Sequence, residues 1–294
     1  MREKGITAMK TNYDASDALK KEMSKLGLVT HDPIIADGKL HRLHVQGDKA
    51  GSQNGWYVLF NDGLLAGSFG SWKTGLKRTW CAKAWRDLTL GERESFQYLM
   101  QLAAKAREIE EQKKQALARN KAAVIWKSAS PAPPDHPYLV KKNVRSHGLR
   151  LNKDRLVIPL RDSNGTLHTL QFIDGEGNKR FLSGGRKRGC YFMIGDYEEI
   201  ICIAEGFATA ASIQESTGHP VAVAFDAGNL MPVATMLRQQ LPAAKLIFCA
   251  DNDANTPGNP GLTKAGQAAA VVGGCVVAPP CAGDFNDFLN GVVI

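Results

Sequence analysis

IICIAEGFATAASI at 200–213 and LIFCADND at 246–253 each set an acid at the carboxyl end of a short apolar run. A strand holds its last residues rigidly, and an acid placed there points into the crevice where open α/β sheets receive ligands. Glu205, Asp251 and Asp253 are therefore expected to meet in one crevice, although 46 positions separate the first two. Hard divalent cations such as Mg2+ favour carboxylate oxygens, and two such ions can clamp the attacking and leaving oxygens of a phosphoryl transfer. Acids this close repel one another, so a cation between them relieves a cost that the bare cluster bears.

Outward from these two segments, Glu199 to Ile294 alternates strand-like and helix-like runs. ICIAE, VAVAF, LIFCAD and CVVAP read as strands, and GFATAASIQES, NLMPVATMLRQQL and TKAGQAAAVV as helices. That alternation implies a parallel sheet with helices on both faces. Upstream, RLVIPLRDSNGTLHTLQFID is two strands around a Ser-Asn-Gly turn, and PAPPDHP at 131–137 breaks the chain before it. Thr89 to Lys127 lacks proline, has no glycine after Gly91 and carries Phe96, Leu99, Met100 and Ala103 at helical spacing, which predicts one or two long helices. From Asp37 to Trp85, alternating residues with Asn-Gly and Asp-Gly pairs predict hairpins and a small, mostly β module. Four of the five tryptophans (Trp56, Trp72, Trp80, Trp85) fall there. They are read first as its core, with an exposed base-stacking surface as the alternative. The divisions expected are a β module over 1–88, a helical linker over 89–130, a small basic α+β subdomain over 131–197 and the parallel-sheet domain over 198–294.

With 294 residues, 44% of them hydrophobic, the chain can bury a real core in two or three domains. A net charge of +8 favours a polyanionic partner, nucleic acid first among them. Between Lys179 and Arg188 stand five basic residues and no acid, which suits a loop crossing such a polymer. Lys141, Lys142, Arg145, Arg150, Lys153 and Arg155 form a second basic run, equally readable as a solvated face. The six cysteines include no CxxC pair, and Cys202 and Cys249 lie in apolar runs. That pattern points to a reducing cytoplasm rather than a disulfide framework. MREKGITAMKTNYD has no apolar signal core, and no apolar run reaches the roughly 20 residues of a membrane span.

Glu205-Gly206 opening a helix, Asp251-x-Asp253 after a second strand and GDFNDFL after the last strand together resemble the Toprim domain of primases, topoisomerases and some nucleases. AEGFATAASI, AFDAGNL, CADNDAN and DFNDFL are most similar to the primases of conjugative plasmids, satellite phages and prophages. RLVIPLRDSNGTLHTLQFI with NKRFLSGG resembles the basic subdomain that precedes the Toprim fold in DnaG-type primases. The resemblance implies a DNA-dependent primase that makes short RNA primers on single-stranded DNA. It also implies Mg2+ or Mn2+ held by Asp251, Asp253 and Asp284, with Glu205 either a ligand or an acid/base group. Lys179 and Arg180 would face template or nucleotide phosphates, with Arg186, Lys187 and Arg188 close by. Asp287 is a further candidate that also reads as the start of a terminal helix. Asn229, in a stretch that is also ordinary turn chemistry, and Arg161 complete the set.

The sequence departs from that family at the amino terminus, where DnaG-type primases carry a zinc ribbon. His31, His41, His44 and Cys81 lack ligand spacing, so no structural zinc is expected, and His41 and His44 are read as hairpin residues. No GxxxxGK[ST] motif occurs, so a separate replicative helicase is the expected partner, beside ribonucleoside triphosphates and the template. Two other readings stay open: a Toprim nuclease, in which the same cluster activates water, and a non-catalytic single-strand-binding factor.

Overall fold

The computed structural model describes residues 16–291; the sequence read as lacking a signal core lies outside the described residues. The described residues pack into two units that divide after residue 112.

In the first unit residues 16–25 are helical (α1). Strands β1 (Leu40–Leu43), β2 (Gly55–Phe60), β3 (Ala66–Ser71) and β4 (Lys77–Cys81) form an antiparallel sheet in chain order. Leu43, Tyr57, Leu59 and Phe69 bury one face of it against Leu19 and Met23 of α1. Asp62-Gly63 is a true hairpin turn, with Gly63 at φ 78°. Asn54-Gly55 is not, which corrects the hairpin reading there. Gly55 opens β2, paired with Leu43 and Ser71, and a Cβ on it would lie 2.2 Å from Leu43 Cδ1. Close packing, not a turn, requires glycine at that position. Trp56 is buried and meets Trp72 at 5.9 Å, Trp80 packs on the core, and Trp85 is half exposed, edge-on to Phe96. His41 bonds Asp37 at 2.7 Å and His44 bonds the Ser52 carbonyl at 2.9 Å.

The stretch read as one or two helices is a single helix of 39 residues, α2 (Leu90–Ser128). Its start is a reciprocal cap: Thr89 Oγ1 accepts from the Glu92 amide at 3.2 Å, and Glu92 Oε2 accepts from the Thr89 amide at 2.9 Å. Phe96, Leu99 and Met100 pack within the first unit, whereas Ala122, Ile125 and Trp126 pack within the second.

The second unit holds two sheets. The antiparallel one joins β5 (Ser130–Pro131), β6 (Arg150–Asn152), β7 (Arg155–Arg161), β8 (Leu167–Ile173) and β9 (Lys179–Phe181), with the short helix α3 (Pro137–Lys142) between β5 and β6. The Ser-Asn-Gly turn links β7 to β8 as expected, Asp162 Oδ1 accepting from the Asn164 and Thr166 amides. Alternation sorts the side chains of this sheet. Leu156, Ile158 and Ile173 enter one core, while Val157, Leu170 and Phe172 meet Ala122 and Trp126 on the other face.

The second sheet has strand order β10-β12-β11-β13-β14, from β10 (Phe192–Ile194), β11 (Ile200–Ala204), β12 (Val221–Val223), β13 (Lys245–Cys249) and β14 (Cys275–Val277). All pairs are parallel except β10 with β12, so an antiparallel edge from upstream chain closes one side. Cys202, Ala204, Val221 and Val223 face helix α4 (Phe207–Thr217). Ile201, Ile203, Ala222, Leu246 and Phe248 face α5 (Ala227–Gln240) and α6 (Pro260–Val272). A final short helix, α7 (Phe285–Leu289), packs beside α4. No helix among the described residues is long and apolar enough to cross a membrane.

Candidate active site

Glu205 directly follows β11, Asp251 lies two residues past β13, and Asp284 is the N-cap of α7. All three line one cavity of about 320 Å³ at the carboxyl ends of the parallel strands, together with Lys141, Lys142 and Lys179. Carboxylates and ammonium groups lining one cavity suit a ligand that is itself a polyanion accompanied by a cation.

Electrostatics mark Glu205 and Asp251. Burial, then the Asp251 and Asp253 carboxylates, push Glu205 up to about 7, against an opposing hydrogen bond from the Ala227 amide. Burial, then Asp284 and Asp253, push Asp251 up to about 7, with Lys179 opposing. One oxygen of each, Glu205 Oε1 and Asp251 Oδ1, is buried without a hydrogen-bond partner. Such orphaned carboxylate oxygens are costly unless a cation or proton meets them. Burial around the Lys179 ammonium lowers its pKa, and Lys142 adds to this while Asp284 and Asp251 oppose it.

The expected four-acid shell is not assembled. Among the described residues no three acidic, histidine or cysteine side chains form a cation cage. Two of the acids are engaged elsewhere: Asp253 Oδ2 accepts from the Gly261 amide of α6 at 2.9 Å, and Asp284 Oδ1 accepts from the Asn286 and Asp287 amides. The donors that remain still fit Mg2+ or Mn2+. Mg2+ is ordinarily bound by one or two carboxylates plus water and substrate phosphates rather than by an all-protein cage.

The basic residues divide. Lys179 lines the cavity, but Arg180 does not, because successive strand residues point to opposite faces. Arg180 lines a separate hollow with Arg155 and Phe172, on the face away from the acids. Arg186 is tied by Nη2 to Asp162 at 3.0 Å and to His168 at 2.9 Å. Lys187 pairs with Asp226, and Arg188 is exposed. Asp287 pairs with Lys142 at 3.1 Å, and Arg161 donates to the Gly165 carbonyl of its own hairpin. Asn229 is fully interior: its Oδ1 accepts from the Gly189 amide, and its Nδ2 donates to the Cys190 and Ala224 carbonyls.

Sequence reasoning did not single out Tyr138, Thr209 or Phe225, which also line the cavity. Tyr138 had a local signal, since HPY places Pro137 in the first turn of α3 and His136 Nδ1 accepts from the Tyr138 amide. Burial, and next to it the Asp284 carboxylate, raises the pKa of its hydroxyl.

Residues 200–292 match the family model described as the Toprim domain. Two Escherichia coli proteins named DNA primase TraC are similar to the chain, at 36% and 34% identity, each over 262 aligned residues. The alignments cover 83% and 84% of this chain but 24% and 18% of those proteins, so the chain spans about a quarter or less of the curated relatives it matches. Among solved structures, the primase fragment of the bacteriophage T7 primase-helicase protein aligns at TM-score 0.42 and 18% identity, over 56% of this chain and 76% of that one. The segment that carries Glu205, Asp251 and Asp284 thus matches the Toprim domain model, in a chain similar over most of its length to two proteins named DNA primase.

Proposed function

We propose that the protein is a DNA-dependent primase, making short RNA primers on single-stranded DNA by metal-assisted nucleotidyl transfer. The observation that carries this is the convergence of Glu205, Asp251 and Asp284 with Lys179 on one cavity, in a chain similar to two primases. Asp251 and Asp284 would hold Mg2+ or Mn2+, which when bound neutralises charge on the nucleotide phosphates. A 3′-hydroxyl oxygen bonds the α-phosphorus of a ribonucleoside triphosphate as the bond to the β-phosphate oxygen breaks, and pyrophosphate leaves with that electron pair. Glu205 accepts the hydroxyl proton. Burial raises its pKa and so favours proton acceptance relative to an exposed carboxylate. Lys179 offsets charge on the triphosphate. So does the amino end of α4, whose Gly206 cap supplies no side-chain bond to the free amides. Arg188 contacts template phosphates. Unwinding falls to a replicative helicase outside these residues, and the free cysteines suit a cytoplasmic setting.

The test offers single-stranded DNA and labelled ribonucleotides with and without Mg2+ or Mn2+. Primers form only with the cation, and Glu205→Ala and Asp251→Ala abolish them while single-strand binding persists. Wild-type primer yield from either variant overturns the assignment. Shortening of the DNA without nucleotides would identify a nuclease instead.

A further inference from the structure

Beside the acid cavity stands an aromatic pair that the mechanism above leaves unused. Phe225 lines the cavity, two residues past the end of β12, at the same end of the sheet as Glu205 and Asp251. Its φ of 73° is left-handed, a conformation rare for a bulky side chain and one that surrounding structure must impose. Such strain concentrates at ligand sites. Phe181 meets Phe225 edge to face at 6.1 Å and is 38% exposed. Phe181 lies two residues along β9 from Lys179, so alternation puts both on one face of the sheet. The ammonium of Lys187 stands over the Phe181 ring, 4.9 Å from its centroid.

Carboxylates and a lysine for a cation and phosphates, adjoined by a partly exposed pair of phenylalanine rings, supply partners for each part of a nucleotide. We infer that Phe225 and Phe181 form the base subsite of this cavity, stacking the nucleobase of the nucleoside triphosphate whose phosphates reach Lys179. Stacking reads the flat face that every base shares, so the subsite holds purines and pyrimidines alike and leaves sequence choice to the template.

The inference rests on the cavity being a nucleotide site, and two probes separate the ideas. Binding of ATP and of ribose 5-triphosphate, which has no base, is measured with Mg2+ on the whole protein and on Phe181→Leu, Phe225→Leu and Phe181→Trp. The wild type is expected to bind ATP on the order of tenfold more tightly than the baseless probe. Either leucine variant should lose that margin while holding ribose 5-triphosphate as before, and Phe181→Trp should keep it. Phe181 is exposed enough that its leucine variant folds if Phe225→Leu does not. Equal wild-type affinity for the two probes overturns the base subsite, as does an unchanged margin in Phe181→Leu. Failure of both probes to bind the wild type in an Mg2+-dependent way overturns the nucleotide site itself.

Discussion

The Gly261 amide donates to Asp253 Oδ2 at 2.9 Å, so one of the two aspartates in DND anchors the start of α6 while Asp251 faces the cavity. The Asp253 amide in turn donates to Asn259 Oδ1 at 2.9 Å, closing the loop on itself. A carboxylate satisfying a free amide of a helix's first turn contributes about 1 kcal/mol. Asp253→Ala should therefore lower unfolding free energy by about 1 kcal/mol. Asp251→Asn, which removes a buried repulsive charge, should raise it when no divalent cation is present. Chemical denaturation of the two variants in a chelating buffer checks the opposite signs.

Glu205 and Asp251 also set a pH dependence. Each has a folded pKa of about 7, raised above its ordinary 4.5 or 3.8, so the folded protein binds these protons more tightly than the unfolded chain does. The stability this supplies is complete below the ordinary carboxylate range and is lost as pH rises through about 7. In chelator, melting temperature should fall between pH 5 and pH 8, over the interval marked by those two shifts. Glu205→Gln should flatten the fall, and Mg2+ should restore stability at the upper end by taking the place of the protons. A cation-free melting curve that is level across this interval would contradict the buried, repelling arrangement.

Asp287 and Asp284 stand three positions apart but answer to different partners. Asp287 is paired with Lys142 across a half-buried contact, whereas Asp284 lines the cavity while capping α7. Asp287→Ala should cost about 0.5–1 kcal/mol of stability and leave primer synthesis within a few-fold of wild type. Asp284→Ala should lose both the cap, about 1 kcal/mol, and most of the primer yield. Comparing each variant's activity below its melting temperature separates the two effects.

These contrasts show what a sequence states and what it withholds. Glu205 and Asp251 were legible because their positions are local facts: an apolar run ends and an acid follows. Helices on both faces were legible from alternation, since Ile201 and Ile203 need one cover and Cys202 and Ala204 another. Arg180 was not, because its facing depends on β9 registering against Phe172 of β8, a pairing set by the whole sheet. That Asp253 would also bond the Gly261 amide eight residues ahead was not legible, because spacing alone does not show which acid a helix start will take. Lys142 and Tyr138 reach the cavity through packing of α3, about which the basic run around them carries no directional signal.

In the basic loop, Arg186 and Arg188 differ in sequence by two positions and in surroundings entirely. Arg186 is held by Asp162 and His168, and the loop after it is fastened by Asn229 through the Gly189 amide and the Cys190 carbonyl. Arg188 is exposed. Removing Asn229 strands one amide and two carbonyls in the interior, and each unmet buried group costs about 1–3 kcal/mol. Asn229→Ala should therefore destabilise the protein by several kcal/mol, on the order of 2–5. Asn229→Asp should not rescue it, because an ionised carboxylate cannot donate to the two carbonyls. Arg188→Ala should leave melting unchanged, weaken single-stranded DNA binding and reduce the slope of log affinity against log salt by about 0.7, the value of one lost phosphate contact. Arg186→Ala should do the reverse, costing stability while changing the salt slope little. A salt titration of the two arginine variants decides between a loop that is basic throughout its contacts and one in which a single guanidinium is left free for the strand.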